Sequence, residues 1–111
     1  MKRFHIAISV ADIARSIKAY TERLGASPTV IVPGEYALWR NSSLNLSIRR
    51  TDDAPGTLRH LGWEDPEAEE FSIDEDENGI AWERFNEAAQ DREILDRWPH
   101  AMFVPSSSSG E

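Results

Sequence analysis

The chain of 111 residues has no cysteine, which removes disulfides, thiolate metal sites and cysteine nucleophiles from consideration. Basic residues are also scarce: 12 Lys and Arg stand against 20 Asp and Glu, for a formal net charge of −8. Such a balance repels phosphate backbones, and nowhere do Lys and Arg form the dense stripe that non-specific nucleic-acid binding needs. Nucleic acid is therefore not an expected partner. No apolar run reaches the length of a membrane span. The start MKRFHIAISVADI joins a basic flank to a short apolar run, but Asp12 interrupts it and no small-residue cleavage site follows. The expectation is a soluble, cytoplasmic protein with no membrane partner.

What the chain does contain suits a folded domain: 40% hydrophobic and 29% charged residues, with four Trp. Its length suits one domain over residues 1–104, followed by a disordered tail, PSSSSGE, at 105–111. FHIAISV has the length and β-branched content of a buried strand, with Phe4, Ile6, Ile8 and Val10 on one face and His5, Ala7 and Ser9 on the other. Asp12 is a good N-cap for a helix in which Ile13, Ile17, Tyr20 and Leu24 share a face, and Gly25 stops it. PTVIVPG, EYALWR and LNLSIRR then read as three strands parted by Pro33-Gly34 and Asn41-Ser42-Ser43. The first fifty residues therefore spell β-α-β-β-β. In the last of these strands Asn45, Ser47 and Arg49 alternate with Leu44, Leu46 and Ile48, so the polar three form either a solvated face or the wall of a substrate pocket.

TDDAPG (51–56) reads as a linker, and TLRHLGW after it as a fifth strand that opens a second unit and carries His60. Nine of the fifteen residues in 64–78 are acidic, and Pro66 weakens regular structure there further. Residues 80–85 form a strand. Asn86 caps a last helix, with Ala88, Leu95 and Trp98 near one face and Pro99 closing it. Within DEDENGIAWERF (74–85), Asp74, Asp76, Asn78 and Gly79 match the first half of an EF-hand loop, but its twelfth position is Phe85 where a bidentate Glu is required. Residues 74–79 are better read as a solvated acidic turn.

A β-α-β-β-β unit, a linker, and a second unit whose opening strand carries His resemble the vicinal oxygen chelate superfamily of glyoxalase I, extradiol dioxygenases and fosfomycin-modifying enzymes. The segments that carry the resemblance are FHIAISVADIARSIKAYTERLGASP, PGEYALW with LNLSI, GTLRHLGWE and DENGIAWERF. Together they look most like the branch of cadmium-induced proteins and organoarsenical lyases. The resemblance implies an α+β fold in which a βαβββ module (1–50) and a shortened second module (57–104) form a cupped mixed sheet with a C-terminal helix. It also implies a divalent metal, Fe, Mn, Zn or Ni, held by His5 on the first strand, His60 on the fifth and Glu83 on the last, with Glu83 the candidate catalytic carboxylate. The fourth-strand ligand position falls near Asn45, a weaker ligand. Two imidazoles and one carboxylate leave coordination positions open for a chelating substrate, so Lewis-acid chemistry is coherent with this set.

Departures from the pattern matter as much. Only 23 positions separate His60 from Glu83, whereas a helix and two strands with their turns need about thirty residues. The second unit is abbreviated, the reach of Glu83 to the histidines is open, and a homodimer covering an incomplete sheet is expected. Organoarsenical lyases hold arsenic with a cysteine pair, which this chain lacks, so that activity does not transfer. The leading expectation is a metal-dependent lyase, isomerase or dioxygenase acting on a small oxygen-bearing substrate contacted by Asn45, Ser47, Arg49 and Trp39. The alternative is a non-catalytic, sequestering protein of the same fold, which needs no metal and whose pocket is lined by Tyr36, Trp39, Trp63 and Phe85. A third is an interaction module whose acidic segment recruits a basic partner.

Overall fold

Alternation of apolar and polar residues decides which way each strand faces. In the computed structural model, which describes residues 1–104, the elements run β1 (Arg3–Val10), α1 (Ile13–Leu24), β2 (Val30–Val32), β3 (Tyr36–Arg40), β4 (Leu44–Arg50), β5 (Leu58–Glu64), β6 (Ser72–Glu75), β7 (Ala81–Phe85), α2 (Glu87–Arg97) and β8 (Met102–Phe103). The fold is α+β, built on one mixed sheet of eight strands in the order β6-β7-β5-β1-β4-β3-β2-β8. Two neighbouring pairs are parallel, β1 with β4 and β5 with β7; the others are antiparallel.

One helix covers each face. Helix α1 starts where the Asp12 carboxylate accepts the Arg15 N–H at 3.1 Å and ends at Gly25, whose φ of 68° is left-handed. Its Ile13, Ile17, Tyr20 and Leu24 pack on Val10, Ala37, Trp39, Leu46 and Ile48, with Ile6 and Ile8 at the margin. Each fully buried side chain of this size contributes about 1.5–3 kcal/mol. Helix α2 lies on the opposite face, its Ile94 packed with Val30, Val32, Tyr36 and Leu38 and flanked by Trp98, Ala101 and Phe103. That is the face to which His5, Asn45 and Ser47 point.

Three expectations need correction. Residues 74–79 are not all turn: Asp74 and Glu75 belong to β6, which pairs antiparallel with β7. An exposed edge strand needs one partner ladder and tolerates acidic side chains, so its charge did not prevent strand formation. In α2 the inward side chains are Gln90 and Ile94, while Ala88 and Leu95 are exposed, because part of the buried face is polar and hydrogen-bonded. Strand β8 was not anticipated at all; two residues suffice to pair with β2. The expected disordered tail, 105–111, lies outside the described residues. No helix among the described residues is long and apolar enough to cross a membrane.

Candidate metal centre

Register brings the histidines and Glu83 together. His5 of β1 sits opposite Gly62 of β5, and Gly62 sits opposite Glu83 of β7, so the three residues form one row across the sheet. His60, two positions before Gly62, faces the same side. Gly62 is required here, since a β-carbon at that position would run into the carbonyl oxygen of Glu83. Glycine lets β7 close against β5 at the level where Glu83 must reach.

The donor atoms converge. His5 Nε2 lies 2.9 Å from His60 Nε2, and Glu83 Oε1 lies 3.2 Å from His60 Nε2 and 3.9 Å from His5 Nε2. Metal–ligand bonds of about 2.0–2.2 Å place neighbouring donors about 3.0–3.5 Å apart, so two edges of the triangle are near those of a facial ligand set and the His5–Glu83 edge is longer. Among the described residues this is the one group of three His, Asp or Glu side chains so arranged. A single proton on His60 Nε2 can serve His5 or Glu83; a divalent cation serves all three donor atoms.

Hydrogen bonding assigns the His5 tautomer. Asn45 Nδ2 donates to Glu64 Oε1 and to Gln90 Oε1, each at 2.8 Å, which leaves Asn45 Oδ1 as the acceptor for His5 Nδ1–H at 2.9 Å. The His5 Nε2 lone pair is thereby aimed at His60 and Glu83, the role an outer-shell partner plays at a metal site. Glu64, 2% exposed, is in turn held by Arg3 and by Arg40, whose Nε lies 3.3 Å away. Arg40 Nη2 also donates to Gln90 Oε1 and Asp91 Oδ1 at 2.7 Å, so one buried network joins α2, β4 and His5. Phe85 closes edge-on against the His5 ring, centroids 5.0 Å apart.

Burial governs the ionisation of the cluster. It holds His5 below its usual value against the opposing hydrogen bonds from Asn45, and it pushes His60 down to about 3 with help from His5 and Arg59. Burial, followed by the charge of Glu93, raises the Glu83 carboxyl to about 7. Both imidazoles are therefore neutral near pH 7, the form in which they ligate metal.

A cavity of about 180 Å³ opens over the three donors, floored by His5, His60, Glu83 and Phe85. Space of this volume holds roughly six waters or a small organic molecule. Tyr36, Ser47 and Arg49 form one wall, and Gln90, Glu93, Ile94, Arg97 and Trp98 of α2 form another. Of the four expected substrate contacts, Ser47 and Arg49 line this space. Asn45 does not; it is fully buried beneath the site and holds His5. Trp39 is on the wrong face: it packs under α1, with its Nε1 donating to the Ala26 carbonyl at 2.9 Å. It stands three positions after Tyr36, an odd number, and the strand period alone would have parted the two. Trp63 also lies away from the cavity, against Phe4.

Asp76 is occupied otherwise. Its Oδ1 accepts the N–H groups of Asn78 at 2.8 Å and Ile80 at 3.0 Å, and its Oδ2 accepts Trp82 Nε1 at 2.9 Å. With Gly79 at a φ of 78°, the calcium-like spacing builds the β6–β7 turn. Sequence reasoning missed Glu64, Arg59, Gln90, Glu93 and Arg97. Arg59 was hidden by a bulge: Ala7 pairs with His60 and Ile8 with Leu58, leaving Arg59 unpaired. Neither a protein-family model nor a curated protein matches the chain.

Proposed function

We propose that this protein is a metal-dependent enzyme of the vicinal oxygen chelate kind, acting on a small oxygen-bearing molecule in the cavity above His5, His60 and Glu83. The observation that carries the proposal is the convergence of those three donors, from β1, β5 and β7, on the floor of an open cavity. Sheet order supports the paired-module reading. Strands β1 and β5 are antiparallel neighbours, and each pairs in parallel with the second strand of a hairpin, β4 after β3 and β7 after β6. The second module on this reading lacks a helix and a counterpart of β2, since residues 65–71 form neither helix nor strand.

A bound divalent metal, Fe, Mn, Zn or Ni, would act as a Lewis acid toward a chelated substrate oxygen, worth several kcal/mol of charge stabilisation. The chain supplies the rest. His5 and His60 present neutral nitrogens, Asn45 fixes the His5 ring, and Glu83 contributes the anionic donor. Ser47 and Tyr36 offer hydroxyls at the wall, and Phe85 and Ile94 exclude water from part of the space. The reaction is a lyase, isomerase or dioxygenase step. A sequestering role for the same cavity is the second reading, supported by the aromatic side chains Tyr36, Phe71, Phe85 and Trp98 around it. A homodimer, cytoplasmic in location, belongs to the same proposal: Trp63 is 39% and Ile73 56% exposed, and β6 is a free sheet edge.

The test is metal binding by chelator-stripped protein offered Fe(II), Mn(II), Ni(II) and Zn(II) in turn. Sub-micromolar binding of at least one ion is expected, weakened at least about 100-fold in each of His5→Ala, His60→Ala and Glu83→Ala. Failure to bind any of the four would remove the enzyme reading and leave the sequestering one.

A further inference from the structure

The chain carries a formal charge of −8, yet its cavity is edged by three arginines, Arg49 of β4, Arg59 of β5 and Arg97 of α2. Away from the cavity, Arg3, Arg40, Arg50 and Arg84 each form an ion pair with a carboxylate, while Arg15, Arg23 and Arg92, which form none among the described residues, stand exposed on α1 and α2. Arg49, Arg59 and Arg97 form none among the described residues. The acidic side chains at the cavity are Glu83, which belongs to the metal-ligand set, and Glu93.

Their placement is specific. Arg49 and Arg97 both lie over the Trp98 ring, 5.4 and 5.7 Å from its centroid, so one aromatic plane orients two guanidinium groups from different elements. Arg59 reaches the cavity because it is the extra residue of the β5 bulge; in a regular strand it would face away from its neighbour His60. The three groups also act on one another: burial first, then the charges of Arg97 and Arg59, lowers the Arg49 pKa. Bringing like charges together without a counter-ion opposes folding, and a guanidinium fork matches the geometry of a phosphate or carboxylate.

We infer that the molecule taken into this cavity is an oxyanion, a small phosphate-, phosphonate- or carboxylate-bearing compound whose anionic group is seated by Arg49, Arg59 and Arg97 while its other oxygens face His5, His60 and Glu83. The substrate class rests on the metal-enzyme reading above; the anion seat itself does not. An anionic group held at the rim and a chelating oxygen at the floor fix a small ligand at two points, which selects its orientation. Glu93 opposes the anion and sets the net charge of the seat.

The experiment is calorimetric titration of the full chain, metal-free, with inorganic phosphate and separately with acetate. Binding of one or both is expected, weakening with added sodium chloride. In Arg59→Gln and in Arg97→Gln the affinity should fall about tenfold or more, with Arg59→Lys intermediate because the charge stays and the fork is lost. Glu93→Gln should tighten binding, and Arg23→Gln on the far helix α1 should leave it unchanged. Phosphate tighter than acetate assigns a phosphate or phosphonate; the reverse assigns a carboxylate. Absence of binding by either anion, or affinities equal in wild type, Arg59→Gln and Arg97→Gln with all folded by circular dichroism, overturns the inference. Metal uptake is measured on the same samples, so a protein that binds anion but no metal defeats the enzyme reading alone. One that binds metal but no anion defeats the arginine seat alone.

Discussion

Strands β1 and β4 carry different chemistry on their two faces. On the α1 side, Ile6, Ile8, Val10, Leu46 and Ile48 meet an amphipathic helix and exclude water by packing alone. On the α2 side the same strands present His5, Ser9, Asn45 and Ser47, each no more than 3% exposed. Burying such groups costs stability unless they are hydrogen-bonded; the Arg40–Glu64–Asn45–His5 chain holds Asn45 and His5, and Ser9 Oγ donates to Asp53 Oδ2 at 3.4 Å. One face therefore holds the fold together; the other uses that rigidity to fix donor atoms.

If that division is right, the faces should fail separately. The largest effect is expected on the apolar side: Trp39→Ala should lower stability by about 3–5 kcal/mol in urea unfolding, while the folded fraction keeps its metal affinity. Parallel loss of affinity would mean that the two faces are not independent. On the polar side Asn45→Ala removes the acceptor that sets the His5 tautomer, and metal affinity should fall about 10–100-fold in a competition titration. Unchanged affinity there would reduce the buried network to scaffolding.

The smallest effect is that of pH. With its carboxyl raised from 4.5 to about 7, Glu83 binds a proton in competition with metal as pH falls through 7, so affinity should drop about fivefold between about pH 7 and about pH 6 and level off above. His60, pushed down to about 3, stays unprotonated over that range. The sign for the metal-free fold is opposite: the unfolded carboxyl ionises first, so stability present below 4.5 is lost as pH rises through about 7. A flat affinity profile would take Glu83 out of the ligand set.

Much of the apolar face was legible, because alternation in FHIAISV and LNLSIRR and the Asp12 and Gly25 caps are local signals. The same alternation grouped His5 with Ser9 and Asn45 with Ser47 within their own strands, and the β1–β4 register puts the two groups on a common side. What stayed hidden depends on partners distant in sequence. Strand β6 exists because β7 offers it a ladder, and the inward phase of α2 follows from Gln90 bonding to Asn45 and Arg40, not from its apolar residues. Arg59 escaped because a bulge breaks the period on which strand reasoning relies. Glu64 read as one more charge in an acidic run, and only Arg3 and Arg40, far away in the chain, make it an internal counter-ion.

The ligand shell itself gives the most direct test. X-ray absorption of the zinc-reconstituted protein should resolve two imidazole nitrogens at about 2.0–2.1 Å and a carboxylate oxygen at about 2.0–2.2 Å, with one imidazole lost in His60→Ala. A shell made of oxygen alone, unchanged in that variant, would show that the metal sits elsewhere and that the converging donors at His5, His60 and Glu83 are not the centre.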